Sequence, residues 1–553
     1  MRTTSLRWNR WQVRGALLAL TLMPAAAGAA EITVNTNAAR PAAEAPALEM
    51  KDNAIQLSLE RAVEIALQQN LGLVIERYTR TQVRLGIFQS LGIYDLLARA
   101  DLSVSDSKFP AVSQVQGSGS NDRAFNFSFA QVLPTGGDVS LGWNNSRNES
   151  SSPLRAALSY SSNYTFTYNQ PLLRDFGRLA TERGILIART NSQVSRQEFE
   201  RQVTATVQQV VDAYWNLVGA RQQLVVAQES LGLARDLHER NRIQVEVGTM
   251  APLEIVQSEA AIASREEDII RATANIGDAE DVLRQLLNLP SGELWERAIQ
   301  PTTPAETEKV AITVDEAIAT AYAERPELRT EELRVAQAEL DARFFRNQLK
   351  PDLGLQLSYG YAGASAPFLD PATNRVITPA FNDALEQALR LDFPSWTAAL
   401  VFSYPIQNRT ARAQSAIANL DVERLQTELD QQKTTIATEV RRAARAVETA
   451  AKQIDAARIS REFQEKNLDA EKKRYENGMS TSFQITQIQE DVTQARSNEV
   501  TAKITYRTAL AEYYRAIGRL LEQHDVGIDD PEEPDYAASR FSFRRAPLPG
   551  EGK

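Results

Sequence analysis

Two histidines, His238 and His524, and no cysteine stand among the 553 residues. Imidazole and thiolate are the side chains that most readily hold metals or act as bases and nucleophiles near neutral pH, so their scarcity bounds the chemistry. Neither histidine lies near a metal-spaced partner, and the chain shows no nucleophile elbow or phosphate loop. The many Asp and Glu residues read as the solvated faces of helices. The expectation is a chain with no catalytic residue, no cofactor and no metal site. A net charge of -10 also disfavours a nucleic-acid partner.

What the sequence does contain is a duplication. Val247-Gly248-Thr249-Met250-Ala251-Pro252-Leu253 sits between two long helix-like segments, and so does Asn477-Gly478-Met479-Ser480-Thr481-Ser482-Phe483. Leu59-Glu60-Arg61-Ala62-Val63-Glu64-Ile65-Ala66 is echoed by Val314-Asp315-Glu316-Ala317-Ile318-Ala319-Thr320-Ala321. Tyr168-Asn169-Gln170-Pro171-Leu172-Leu173 is echoed by Phe402-Ser403-Tyr404-Pro405-Ile406-Gln407. One unit of helix, strands, helix, turn and helix occurs twice in the same order. A long internal repeat is an architectural feature, not a catalytic one.

The ends read differently. Arg2, Arg7, Arg10 and Arg14 precede an apolar run from Gly15 to Met23 and a small-residue stretch at Ala25–Ala30, the pattern of a cleavable secretory signal. The organisation expected is a signal peptide at 1–30, a flexible lead-in at 31–56, a first helix-strand-helix repeat at 57–290, a polar linker at 291–310, a second repeat at 311–522 and a flexible tail at 523–553. No later stretch approaches the roughly 20 apolar residues of a spanning helix, so any membrane crossing must use a closed β-barrel.

The long helices set the scale. Segments from about Arg178 to Glu246 and from about Arg409 to Glu476 approach 70 residues each, or about 100 Å at 1.5 Å per residue. No globular core of this size covers a helix that long. Ile436, Val440, Ala443, Val447, Ala450, Ile454 and Ala457 step by four and three, as do Val203, Val207, Val210, Tyr214 and Leu217, which is coiled-coil spacing. Shorter helices are expected from Ser58 to about Tyr94, from beyond Pro252 to near Pro290, from Val314 to Leu349 and from Thr481 to Glu522.

Between the helices the period changes to two. Leu353, Leu355, Leu357, Tyr359 and Tyr361 alternate with small and polar residues, as do Trp396, Ala398, Leu400, Phe402 and Tyr404. In the first repeat Phe125, Phe127 and Phe129, then Val139, Leu141 and Trp143, then Tyr164, Phe166 and Tyr168 do the same. Aromatic-rich segments of about ten residues with this period suit an outer-membrane barrel. A soluble antiparallel sheet with one wet face shares the period, but the signal peptide and the missing cysteines favour the membrane. Too few strands exist per chain to close a barrel, which needs about eight, so the chain is expected to oligomerise.

Arg474-Tyr475-Glu476-Asn477-Gly478, the matching Val245-Glu246-Val247-Gly248, and Gln170-Pro171-Leu172-Leu173 at a strand-to-helix junction resemble the outer membrane efflux protein family, the TolC-like ducts. The resemblance runs from about Leu57 to Glu522. It implies a mainly α fold with a transmembrane β part. In a homotrimer, long coiled helices form an α-barrel tunnel through the periplasm, and strands from three chains close one outer-membrane β-barrel. It implies export of drugs, other small molecules or proteins. The partners implied are a periplasmic adaptor, an inner-membrane pump and outer-membrane lipid. Small-molecule efflux and type I protein secretion both remain open. A trimeric adhesin would carry its strands at the C-terminus, unlike this chain.

The resemblance also supplies candidate sites. The turns at Val247, Gly248 and Thr249 and at Asn477, Gly478 and Met479 become the periplasmic tips where adaptor hairpins dock. The closing contact of the family falls on Glu254 and Tyr475. Where some members carry a gate arginine this chain has Ser480, and where some carry acidic rings it has Gln484 and Gln487. A gate held by Glu254 and Tyr475 but weakly charged is expected. The family's two strands per repeat give a default of four membrane strands per chain. The first repeat nevertheless holds about four strand-like pieces, with Pro134-Thr135-Gly136-Gly137 as a hairpin turn.

Overall fold

The computed structural model describes residues 49–51, 54–108, 110, 118–151, 157–290, 292–305, 310–371 and 375–528. The expected signal peptide, residues 31–48 of the lead-in and residues 529–553 of the tail lie outside the described residues.

The first repeat runs β1 (Glu49–Lys51), β2 (Ala54–Leu57), α1 (Leu59–Gln69), α2 (Leu71–Leu91), β3 (Leu97–Lys108), β4 (Gly119–Val132), β5 (Asp138–Ser150), β6 (Leu158–Pro171), α3 (Arg178–Thr181), α4 (Arg183–Glu246) and α5 (Leu253–Leu287). The connection carries α6 (Glu293–Glu296) and β7 (Ile299–Pro301). The second repeat runs α7 (Val314–Glu324), α8 (Pro326–Asn347), β8 (Asp352–Ser365), β9 (Phe368–Asp370), β10 (Arg375–Ile377), α9 (Phe381–Leu389), β11 (Pro394–Ser403), α10 (Arg409–Glu476), α11 (Ser482–Ala516) and α12 (Leu520–Gln523). No described helix is long and apolar enough to cross a membrane.

The long helices follow the sequence. α4 has 64 residues and α10 has 68, about 100 Å each. Ile436, Val440, Ala443, Val447, Ala450 and Ile454 are buried along α10, and Val203, Val207, Val210, Tyr214 and Leu217 along α4. Gly219 lets α4 approach α11: a Cβ there would meet Ile504 Cγ1 at 3.0 Å. Charge pairs bind the helices along this seam, within the second repeat and across to the first. Arg496 reaches Glu229 on α4 at 2.6 Å and Glu465 on α10 at 2.9 Å, and Arg461 pairs with Glu499.

The shorter helices break where local chemistry competes with the helix. Ser58 caps α1, accepting from the Arg61 N–H at 3.2 Å. The helix expected to continue to Tyr94 instead stops at Asn70, whose side chain caps α2 through the Leu73 N–H at 3.2 Å and donates to the Leu286 carbonyl at 2.9 Å. The helix expected over Val314–Leu349 divides at Arg325, because Pro326 disfavours helical backbone in the residue before it and suits a helix start.

The lead-in and tail, both expected to be flexible, and the polar linker form ordered structure in part. The end of the lead-in forms β1 and β2, and the linker supplies β7, which pairs parallel to β2 with Ile55 opposite Ile299. Ile55, Leu57 and Ile299 enter a core with Tyr214, whose hydroxyl donates to the Leu57 carbonyl at 3.1 Å and accepts from the Thr303 N–H at 3.0 Å. Val526 and Ile528 pack on the same core, so the tail is ordered past 523.

Beside the β1-β2-β7 sheet and the β9–β10 hairpin, six strands form one sheet in the order β11-β8-β6-β5-β4-β3, antiparallel throughout. The sheet thus holds six strands, two more than the four membrane strands expected per chain. The four strands of the first repeat and the Pro134–Gly137 turn occur as the sequence suggests: the Leu133 N–H donates to the Gly137 carbonyl at 2.7 Å. The extra pair continues the sheet by ordinary antiparallel pairing. The helix α9, set in the connection between β8 and β11, is not foreseen. Its Ala384 and Ala388 are fully buried, and it lies so close to β8 that a Cβ on Gly363 would fall 1.8 Å from the Ala384 carbonyl.

Candidate functional site

Each helix pair reverses through the same backbone device. At the first tip the Gly248 N–H donates to the Val245 carbonyl at 3.0 Å and the Thr249 N–H to the Gln244 carbonyl at 2.9 Å. At the second the Gly478 N–H donates to Tyr475 at 2.9 Å and the Met479 N–H to Arg474 at 2.9 Å. Both are Schellman caps, which satisfy the last helical carbonyls and require a left-handed residue. Gly248 has φ 78° and Gly478 has φ 73°, a region costly for any residue with a Cβ. The turns project outward with apolar side chains: Val247 is 68% exposed and Met479 63%, beside exposed Leu253 and Phe483.

Behind the tips lies a small polar lock. Tyr475 on α10 donates to Asn241 Oδ1 on α4 at 2.6 Å, with Gln244 Oε1 at 3.2 Å. Asn241 is 0% exposed and donates to Ser482 Oγ on α11 at 2.8 Å. Three helices from both repeats are thereby tied at one point, packed by Leu237, Ile485 and Met250. Burial, and then the Glu254 charge, push the Tyr475 hydroxyl above its ordinary pKa, so it stays a donor at neutral pH.

The sequence-assigned gate residues separate into distinct roles. Glu254 stands in the first turn of α5, where the helix dipole favours an acid. It acts on Tyr475 through its charge, but within one chain the tyrosine hydrogen-bonds Asn241 and Gln244 rather than Glu254. Its Oε2 is enclosed and has no hydrogen-bond partner among the described residues. Gln484 is occupied locally: Thr481 Oγ1 accepts from the Gln484 N–H at 3.3 Å, and Gln484 Oε1 accepts from the Thr481 N–H at 3.4 Å, a capping box for α11. The Ser480 hydroxyl, with one proton to give, sits between this oxygen at 3.0 Å and the Glu471 carboxylate. Gln487 is exposed one turn further along.

Asn241, Gln244 and Ser482 were not foreseen as part of this site. Their only sequence signal is polar residues close to apolar seam positions. Thr481-Ser482-Phe483-Gln484 did carry a legible capping-box pattern. His238 bonds Ser258 at 2.9 Å across the α4–α5 pair, and burial lowers the pKa of His524. No group of His, Cys, Asp and Glu side chains able to hold a metal occurs among the described residues.

The sequence matches the family model of the outer membrane efflux protein over residues 130–289 and 317–519, more than half the chain and parts of both repeats. No curated protein matches by sequence. Among solved structures, the Campylobacter jejuni CmeC outer membrane channel is similar at 15% identity over 85% of this chain and 86% of that one, with a TM-score of 0.60. The Vibrio cholerae outer membrane protein VceC is similar at 14% identity over 83% and 96%, with a TM-score of 0.60. The open state of the Neisseria gonorrhoeae MtrE outer membrane channel gives 17% identity over 87% and 97%, with a TM-score of 0.58. At these identities the likeness concerns the fold, and the family match carries the assignment: the chain belongs to the outer membrane efflux protein family, whose members are channels and not enzymes.

Proposed function

We propose that the protein is the outer-membrane duct of a tripartite export system, passing drugs or other small molecules from an inner-membrane pump and its periplasmic adaptor out of the cell. The observation that carries this reading is the placement of two surfaces on one chain. Helices about 100 Å long separate an apolar sheet from two exposed turns. The six strands of that sheet have 10 to 14 residues, enough for the 9–11 a tilted membrane strand needs. In this reading the sheet stands in the outer membrane after a signal peptide directs export. The helices form the wall of a periplasmic tunnel in a homotrimer, and Val247, Gly248, Thr249, Asn477, Gly478 and Met479 receive the adaptor. Glu254 and Tyr475, with Gln484 and Gln487, ring the periplasmic entrance.

The test is a strain lacking this chain, loaded with a fluorescent pump substrate. Retention of dye that the wild-type gene reverses supports small-molecule efflux. Unchanged retention together with loss of a secreted protein from the medium would move the duct to type I secretion. No change in either would overturn the export reading.

A further inference from the structure

The two outer strands of the sheet, β3 and β11, have one side each without a neighbouring strand among the described residues. Unpaired backbone cannot face lipid, since each unsatisfied group costs several kcal/mol there. Six strands are also too few to close on themselves. We propose that β3 of one copy pairs with β11 of the next, so that three copies close a barrel of 18 strands rather than 12. This inference rests on the membrane-duct reading above.

Register and chemistry both support this seam. Strands alternate in direction across the sheet, and with six of them β3 runs antiparallel to β11, so identical copies continue the pattern without a parallel joint. One row of paired positions runs Ala98, Phe129, Leu141, Phe166, Tyr359 and Trp396, from edge to edge. The next runs Ala100, Phe127, Trp143, Tyr164, Tyr361 and Pro394. The apolar band is thus continuous through the extra strands, and the other face of β3 carries Arg99, Asp101, Ser103 and Ser105, as a water-filled lumen requires. Apolar residues at both edges stand open in the single chain: Leu102 on β3 and Trp396 on β11 are each 74% exposed.

The extra strands are also anchored at their base. The β4–β5 turn is tied to the strand-to-helix junction by the Gly177 N–H, which donates to the Thr135 carbonyl at 2.9 Å. Thr135 donates its hydroxyl to Gln170 Oε1 at 2.7 Å, and Gln131 donates to the Tyr94 carbonyl at 3.0 Å. Gly136, at φ 90°, lies where a Cβ would meet the Asp175 carbonyl at 2.4 Å, so the turn is built into the junction. With strands about 4.8 Å apart and tilted about 40°, 18 strands enclose a barrel about 36 Å across, against about 24 Å for 12. The outer exit then no longer limits cargo size, and selection falls to the periplasmic tips.

The natural chain lacks cysteine, so paired cysteines report the seam directly. Asp101, Ser103 or Ser105 on β3 would be combined with Thr397 or Ala399 on β11, in full-length protein in isolated outer membranes, and oxidised. Facing antiparallel residues lie within disulfide reach. The expected result is at least one pair giving dimer and trimer bands, with nothing larger, that vanish on reduction. Ser140→Cys or Asn144→Cys on β5 combined with Thr397→Cys or Ala399→Cys should give none. Crosslinks from β5 to β11 would overturn the inference, as would a ladder ending at the dimer. Absence of every β3–β11 crosslink in protein that migrates as a trimer would also overturn it. Dye export by the same cells is scored separately, so a duct with a different seam remains distinguishable from a protein that is no duct.

Discussion

The residues six positions past the two tip glycines occupy equivalent places in the repeat and behave in opposite ways. After Gly248 stands Glu254, with an enclosed oxygen that no described residue satisfies. After Gly478 stands Gln484, whose amide oxygen is bound into the capping box of α11. The neighbouring positions differ in the same sense. Helix α5 starts at Pro252 with no side-chain cap, whereas α11 starts at Thr481 with one. Tyr475, in the second tip, reaches into the first repeat to bond Asn241, while Val245 holds the equivalent place in the first and offers no such bond. Duplication preserved the backbone turn, and the side chains diverged. Tyr475 of the second tip carries the bond that ties the two tips together, and Glu254 of the first keeps one enclosed oxygen without a partner among the described residues.

Removing the fastening is the severest way to break this asymmetry. Tyr475→Phe leaves the buried Asn241 oxygen without its donor, and about 1–3 kcal/mol of local stability should be lost. Hydrogen exchange of residues 237–250 and 475–489 would rise together, because both repeats share the lock. Gly248→Ala and Gly478→Ala test what the tips still have in common. Each forces a Cβ into left-handed backbone at a cost of about 1–2 kcal/mol. No neighbouring atom crowds either site, so the two losses of thermal stability should match.

Thr481→Ala should cost about 1 kcal/mol and fray only the first turn of α11, visible as faster exchange at residues 482–485. Glu254→Gln sharpens the comparison by giving both tips the same amide. Folding stability should stay within about 0.5 kcal/mol, since the enclosed oxygen has no partner to lose. The reversal potential of reconstituted channels in a salt gradient should nevertheless shift toward lower cation preference. An unchanged potential would remove Glu254 from the entrance.

Much of this was legible in the residues. The four-three spacing from Ile436 to Ile454 located the coil seam, and Pro134–Gly137 located a hairpin, because both patterns are local and periodic. The glycines of the tips were readable from their place between helices. What escaped was set by distant partners. Ile55 and Ile299 are 244 positions apart, and nothing near either announces their pairing. Asn241 looks like any surface polar residue until Tyr475 and Ser482 arrive from the other repeat. Helix α9 has nine residues inside a region of strand periodicity, too short for its own period to stand out. Gln484 shows the reverse case: family likeness placed it at a gate, while its local capping signature described where its side chain is held.

In an export duct of the proposed kind, the tips are the docking surfaces. A photo-crosslinking amino acid at Val247 or Met479, activated in living cells, tests this most directly. Capture of a periplasmic adaptor, identified by mass spectrometry and absent when the probe is moved to the exposed α10 position Ile417, is the predicted result. Capture of this chain's own subunits alone, in cells where export is running, would contradict it.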